Sequence, residues 1–253
     1  MVTLSEVVAR ADSWLQPALY KDYERAWNGL QMENEGAVTH IAAAVDASMA
    51  TIRMAIDAGA DLLVVHHGLF WSETRPWTGR RYELLKRLME SGLAVYSQHL
   101  PLDGHPCLGN ASQLAAALGW TAHQPFFFRA GTAIGVQSTH PEAVSREELG
   151  RRLTDCLGHP PILLPGGPAA CRRIGICTGG AGSELAQAVA EGVDTFITGE
   201  GPHWTHALAE DLGLNVFYGG HYATETFGVK ALAAELSSVF GIPWTFIDHP
   251  SGL

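Results

Sequence analysis

The chain has 253 residues, of which 47% are hydrophobic and 17% charged, a composition typical of a folded globular protein. Its formal net charge of −10 argues against a protein that binds nucleic acid through the phosphate backbone. Four cysteines without a CxxC spacing, no signal-peptide pattern and no membrane-length apolar run predict a soluble cytoplasmic protein with reduced thiols and no membrane partner.

Helices and strands are predicted to alternate along the chain. The first half is predicted to contain helices at 4–15, 48–58, 80–91 and 110–118 and strands at 40–46, 61–65 and 93–97. A β-like aromatic stretch at 126–136, a helix at 145–157 and a turn-rich run at 158–170 follow. The remainder is predicted to contain strands at 173–178, 194–198, 215–218 and 244–247 and helices at 183–191, 204–212 and 224–238. This alternation predicts an α/β fold with largely parallel sheets flanked by helices.

The chain also contains an apparent internal duplication. AIDAGADLLVVHHG at 55–68 aligns with AVAEGVDTFITGEG at 188–201, which matches Asp61 with Asp194 and sets Glu200 opposite the histidine pair. Two helix–strand units of any protein can look alike, which is the alternative explanation. A true duplication predicts two related α/β domains that face one cleft. The first would comprise 1–124 with 220–253 and carry most of the metal ligands, and the second 125–219.

Polar side chains follow the predicted strands at the edge where open α/β sheets bind ligands. His66 and His67 come directly after the apolar run at 61–65, and Gly68 allows the backbone to turn both imidazoles toward one cavity. Asp103 follows the next strand by a few residues. Taken singly, the histidines are also consistent with ordinary surface residues and the aspartate with a turn residue. Their shared position favours one binding site.

His221 and Glu225 are four residues apart near the predicted start of the last helix, which would place them on one face about 5–6 Å apart at Cβ. The same pair is consistent with an ordinary helix N-terminus. Together the candidate residues offer three imidazoles and two carboxylates, which suit Zn, Mn, Fe, Ni or Co better than Ca. Five ligands exceed what one catalytic metal takes from protein. The pattern therefore predicts two divalent ions about 3.5–4 Å apart, sharing a bridging carboxylate and activating water.

Five segments carry a resemblance to a known family: NGLQ at 28–31, DLLVVHHGLFW at 61–71, YSQHLPLDGHPCLGNASQLAAALG at 96–119, FITGEGPHWTHAL at 196–208 and GGHYATET at 219–226. The chain resembles the NIF-three-like family, also called the YbgI or dinuclear metal centre family and labelled GTP cyclohydrolase I type 2 homologue. The resemblance implies two related α/β domains in a short form without an inserted domain, and a toroidal homohexamer. It also implies a set of metal ligands, with Glu225 touching both ions: His66, His67, Asp103, His221 and Glu225.

Two hypotheses for function follow. The first is a metal-dependent hydrolase of a small anionic molecule, with nucleotides and purines as candidates, in which His99, Glu200 and His203 move protons. The second is a non-catalytic, metal-loaded oligomer that scaffolds or regulates a partner. A third, a ring that threads nucleic acid, conflicts with the net charge of −10. The sequence identifies neither the metal nor the substrate, and it leaves the roles of His105, Cys107 and His206 open.

Overall fold

Apolar runs bounded by turn residues form the strands of two sheets in the computed structural model, which describes residues 2–71 and 76–253. The chain divides into two units, each with its own sheet and flanking helices. Unit 1 comprises Met1–Leu102 and Gly228–His249, and unit 2 comprises Asp103–Phe227 and Pro250–Leu253. The predicted α/β class is confirmed. Among the described helices, none combines the length and the apolar character needed to cross a bilayer.

Unit 1 is built on a five-stranded sheet with three consecutive parallel strands at its centre. Its strands are β1 (Gly29–Met32), β2 (Ile41–Asp46), β3 (Leu62–His67), β4 (Ala94–Ser97) and β11 (Trp244–Phe246). Their order is β1-β4-β3-β2-β11, and only β1 runs antiparallel to its neighbour. The first five residues of both β2 and β3 are buried, which explains why their sequences are continuous apolar runs rather than alternating ones.

Among the described residues of unit 1, three α-helices lie wholly within it: α1 (Leu4–Leu15), α2 (Met49–Asp57) and α3 (Arg80–Ser91). The start of α1 is fixed by a capping box, because the Thr3 hydroxyl accepts the Glu6 N–H and the Glu6 carboxylate accepts the Thr3 N–H. A short helix, α4 (Leu100–Asp103), follows β4. A core cluster that includes Leu63, Val65 and Leu88 packs α3 against the sheet. The helices thus cover the apolar strands, and the polar residues lie at the strand ends.

Unit 2 is built on a six-stranded sheet in the order β5-β6-β8-β9-β10-β7. These strands are β5 (Gln124–Arg129), β6 (Thr132–Ser145), β7 (Ile162–Pro165), β8 (Ala170–Ile176), β9 (Thr195–Thr198) and β10 (Asn215–Tyr218). The helices are α5 (Asn110–Ala117), α6 (Arg146–Leu157), α7 (Leu185–Ala190), α8 (Thr205–Leu212) and the first turns of α9 (His221–Phe240). Strands β8, β9 and β10 are parallel, so their carboxyl ends lie at one edge of the sheet.

The two sheets share a strand pattern that is consistent with the predicted duplication. From an antiparallel edge strand inward, unit 1 has β1-β4-β3-β2 and unit 2 has β7-β10-β9-β8, with parallel pairing between the last three strands in each. The aligned aspartates also make the same contacts. Asp61 accepts the backbone N–H groups of residues 39 and 40 just before β2, and Asp194 accepts those of residues 172 and 173 in β8.

Several elements differ from the predictions. Strands β1 and β7 and the short α4 were not predicted, and the stretch at 126–136 spans a hairpin of β5 and β6. The chain passes from one unit to the other at 102/103, 227/228 and 249/250; the predicted domain boundaries at 124/125 and 219/220 differ from these positions and stay a prediction. Helix α5 accounts for part of this difference, because its buried Leu114 belongs to the same core as Ile174 and Phe217 of unit 2.

Candidate metal centre

In unit 1, polar residues gather where three adjacent parallel strands end. Asp46 ends β2, His66 and His67 end β3, and His99 follows β4 by two residues. The register pairs Asp46 with His67 and Val65 with Ser97, which places the three strand ends side by side. His66 is completely buried and His67 partly so. The predicted position of the histidine pair at a strand end is therefore what the structure shows.

Each of the three imidazoles in unit 1 is held through its Nδ1 atom. His66 Nδ1 lies 3.0 Å from the Gln98 carbonyl oxygen, and His67 Nδ1 lies 2.9 Å from Asp46 Oδ1. His99 Nδ1 lies 2.8 Å from an oxygen of Asp22. Carbonyl and carboxylate oxygens only accept, so Nδ1–H donates and Nε2 carries the lone pair in the neutral ring. The three side chains offer ligand atoms within 4.8 Å of one another.

Asp22 anchors His99 and was missed in the sequence. Its carboxylate also accepts the side-chain amide of Asn28 at 2.8 Å and the backbone N–H of Leu100 at 3.0 Å. Burial raises the pKa of Asp22, but the hydrogen bond and charge of His99 and the amide of Asn28 outweigh it and leave the pKa below its ordinary value. The carboxylate therefore stays ionised and keeps the His99 ring in place.

In unit 2, the start of α9 presents a histidine and a glutamate on one face. The helix begins at His221, so Glu225 lies one turn later, and its Oε2 is 3.1 Å from His221 Nε2. His221 Nδ1 lies 2.8 Å from Oε1 of Glu200, which follows β9. Burial lowers the pKa of His221, but the hydrogen bonds and charges of Glu225 and Glu200 outweigh it and raise the pKa to about 9. Without a metal, this imidazole is thus protonated at neutral pH.

Glycine is required where β8 meets this pair. Gly179 has φ +69°, and a Cβ there would collide with Glu225 Oε1. Its N–H also donates to Thr224 Oγ1 at 3.1 Å. The TGG segment after β8 therefore brings backbone against the Glu225 carboxylate, a close approach that only glycine allows.

The predicted ligand Asp103 is buried in unit 2. Its Oδ1 accepts the Asn110 side-chain amide at 2.8 Å and the Thr178 hydroxyl at 3.4 Å, so the carboxylate is held from both α5 and the end of β8. Cys177 lies nearby, but burial, with the charges of Asp103, Glu184, Glu225 and Glu191, raises the pKa of its thiol well above the ordinary value. A neutral thiol is a poor metal ligand, which leaves oxygen and nitrogen donors in this region.

Three other histidines named from the sequence belong to neither of the two groups of possible metal ligands found among the described residues. His203 is exposed in the turn before α8, and His206 lies on the surface of that helix, 4.0 Å from Glu210. His105 Nδ1 accepts the backbone N–H groups of Cys107 and Leu108, which indicates a turn-stabilising role. Buried and partly buried histidine and glutamate side chains of the chain could thus hold a metal ion.

Known proteins resemble this chain over its full length. The family model for Duf34/NIF3 (NGG1p interacting factor 3) matches residues 2–251. A Halobacterium salinarum protein named GTP cyclohydrolase 1 type 2 homolog is 42% identical over 254 residues and covers 99% of each chain. Its Deinococcus radiodurans namesake is 39% identical over 248 residues, 98% of this chain and 94% of that one. The crystal structure of TTHA1606 from Thermus thermophilus has a TM-score of 0.91 at 37% identity, with both chains covered completely.

Proposed function

The chain belongs to the DUF34/NIF3 family, as its motifs indicated, and on this premise we propose that it is a dinuclear metal-dependent hydrolase of a small anionic molecule. The proposed ligands to two divalent ions are His66, His67, Asp103, His221 and Glu225. The relatives bear the name GTP cyclohydrolase 1 type 2 homolog, and a cyclohydrolase opens a ring with water. Nucleotides and purines are therefore the first substrates to test.

One observation carries the proposal: the Nδ1 atom of each of four histidines faces a carbonyl or carboxylate oxygen. The pairs are His66 with Gln98, His67 with Asp46, His99 with Asp22 and His221 with Glu200. Metal-ligating histidines almost always donate the second ring N–H to such an oxygen, which fixes the tautomer and makes Nε2 more basic. The donor set of imidazoles and carboxylates also fits a catalytic site for Zn, Mn, Fe, Ni or Co.

The protein residues supply orientation and proton transfer in this proposal. Bound divalent ions would supply Lewis acidity and lower the pKa of water. His99, held by Asp22 through Nδ1, can take up a proton at Nε2. Glu200 holds the His221 ring through Nδ1 and fixes its orientation. Hydrolysis adds the elements of water across one bond of the substrate, so a group that accepts and returns a proton completes the reaction.

Two finer expectations remain proposals. His203 is exposed in the turn before α8, so we assign it a proton-transfer role only when substrate lies beside it. The homohexameric ring implied by the family resemblance is the assembly we expect in solution. Sedimentation equilibrium would test it, and a monomer at micromolar concentration would contradict it.

An activity screen with metal-loaded protein tests the hydrolase. Nucleoside phosphates and free purines would be incubated with protein reconstituted separately with Zn²⁺, Mn²⁺ and Fe²⁺, and products separated by chromatography. Turnover is expected in the wild type and in His206→Ala, whose side chain is on the surface, and loss of at least about 100-fold in Glu225→Gln. Metal-loaded protein without turnover of any substrate would refute the hydrolase and favour the scaffold. Turnover unchanged in Glu225→Gln would refute the assigned site.

A further inference from the structure

We propose that four aromatic side chains of unit 1, Tyr23, Trp27, Phe70 and Trp71, form a binding site for the planar heteroaromatic ring of a small-molecule ligand. These four side chains form the aromatic rim. The inference rests on the proposed function, because it assigns the substrate of that site to the class of planar nitrogen heterocycles. It is carried by the ring contacts and backbone geometry of the rim.

The aromatic rim begins in direct contact with the histidines. The Trp71 ring lies 4.7 Å from the His99 ring and 5.4 Å from the His67 ring, in both cases nearly perpendicular. Tyr23 lies 5.7 Å from His99 and 6.1 Å from Trp71. Since Tyr23 is 47% exposed, this row of rings leads from buried imidazoles to solvent. A flat ligand on this row would have one edge within reach of the imidazoles.

Trp27 extends the rim and is held in a conformation that costs free energy. Its side chain is 66% exposed, its φ is +37°, and its ring lies 6.2 Å from that of Phe70. The Trp27 carbonyl accepts the Gln31 amide at 2.7 Å, and Gln31 Oε1 accepts the Leu69 N–H at 2.6 Å. Gln31 thus ties the two segments that carry the rim. A strained backbone that presents an exposed indole, rather than burying it, is typical of ligand clamps.

Residues 22–28, the segment that carries Tyr23 and Trp27, are anchored to His99. The Asn28 amide donates to Asp22 at 2.8 Å, and Asn28 Oδ1 accepts the His99 N–H at 2.7 Å. Asp22 in turn accepts His99 Nδ1–H, so both ends of residues 22–28 are fixed to His99. The rim is therefore positioned before any ligand arrives, which reduces the entropy lost on binding.

The chemistry of the rim favours a flat ring over a protein partner. Tyr and Trp faces stack on planar heterocycles, and each base–aromatic stack is worth roughly 1–3 kcal/mol by alanine substitution. The rim also contacts imidazoles, which can form hydrogen bonds with the polar edge of a heterocycle. A planar nitrogen heterocycle satisfies both features.

A matched pair of probes tests the proposal on the full-length, metal-loaded protein. Adenosine 5′-monophosphate and ribose 5-phosphate share the sugar phosphate, and adenine in the first takes the place of the anomeric hydroxyl in the second. Isothermal titration calorimetry would give both dissociation constants. We expect the ring-bearing probe to bind at least about 10-fold more tightly. Trp27→Ala should remove most of that difference and Trp27→Phe should restore part of it. Tyr82→Ala, which removes another exposed aromatic residue of unit 1, should leave it unchanged.

Equal affinities for the two probes, or a difference that survives Trp27→Ala, would overturn the aromatic rim. If Trp27→Ala instead changes the sedimentation coefficient and leaves probe binding unchanged, the rim is an interface between copies of the chain. Metal content measured on the same samples separates this result from the proposed function. If the protein has its full metal content but binds the two probes with equal affinity, the aromatic rim alone is refuted. If the protein fails to bind metal but still binds adenosine 5′-monophosphate more tightly than ribose 5-phosphate, the metal centre alone is refuted.

Discussion

The pKa of His221 makes metal binding depend on pH in a defined direction. In the metal-free chain, Glu225 and Glu200 raise this pKa from 6.5 to about 9. A metal takes the neutral imidazole, so binding must displace the proton. At pH 7 a group with a pKa of about 9 is neutral in only about 1% of molecules. Half of the molecules are neutral at this group at pH 9, so the apparent affinity at this position should fall about 50-fold between pH 9 and pH 7.

Calorimetric titration of the chelator-treated protein with Zn²⁺, in two buffers of different ionisation enthalpy, measures the protons released. We expect at least about one proton per chain at pH 7.5 from His221. Glu200→Gln keeps an acceptor for Nδ1–H but removes one charge that raises the pKa. This variant should therefore release fewer protons at pH 7.5 and show a shallower pH dependence.

Affinity that stays constant from pH 7 to 9, or identical proton release by wild type and Glu200→Gln, would refute this reasoning. The raised pKa of His221 also affects the free energy of unfolding of the metal-free protein. Because the pKa of His221 is higher in the folded state, its contribution to stability is complete below pH 6.5 and is lost as the pH rises through about 9.

Three further substitutions test other parts of the account. Gly179→Ala should reduce metal content, since its Cβ would collide with the Glu225 carboxylate; full metal content by mass spectrometry would contradict this. Asp46→Asn should weaken metal binding about 10- to 100-fold by removing the carboxylate that orients His67, and unchanged affinity in a chelator competition would show that this contact is dispensable. Asp194→Ala should lower the free energy of unfolding by about 1–3 kcal/mol in urea denaturation, because two backbone N–H groups lose their acceptor, and a loss below about 0.5 kcal/mol would argue against it.

Local patterns predict the elements of this chain well where they are regular. The bounds of α1 and α3 agree with the predicted ranges, because amphipathic periodicity and capping residues are local signals. The edge strands β1 and β7 differ from the prediction because each has only four residues, and because the apolar residues of β7 lie inside the proline- and glycine-rich run at 158–170, which is typical of turns. α9 begins three residues earlier than predicted, at His221. Gly219 and Gly220, which come directly before it, are poor helix formers, so the local pattern predicts a later start.

The sequence predicts those candidate ligands that stand at the ends of strands. It does not predict the residues that hold these ligands in place. His66 and His67 stand directly after an apolar run, and the internal duplication drew attention to Glu200, which contacts His221. Asp22 gave no signal, because 77 residues separate it from His99 and only the folded chain brings them together. Contacts of this kind depend on tertiary packing, which periodicity and local motifs do not encode.

The central claim is that the chain binds a pair of metal ions through five named residues. Inductively coupled plasma mass spectrometry on reconstituted, desalted protein tests it most directly, with His206→Ala as a surface-histidine control. We expect about two divalent ions per chain in the wild type and the control, and fewer than about one in His66→Ala and in Glu225→Gln. Fewer than one ion per chain in the wild type, or a content unchanged in both variants, would contradict the account.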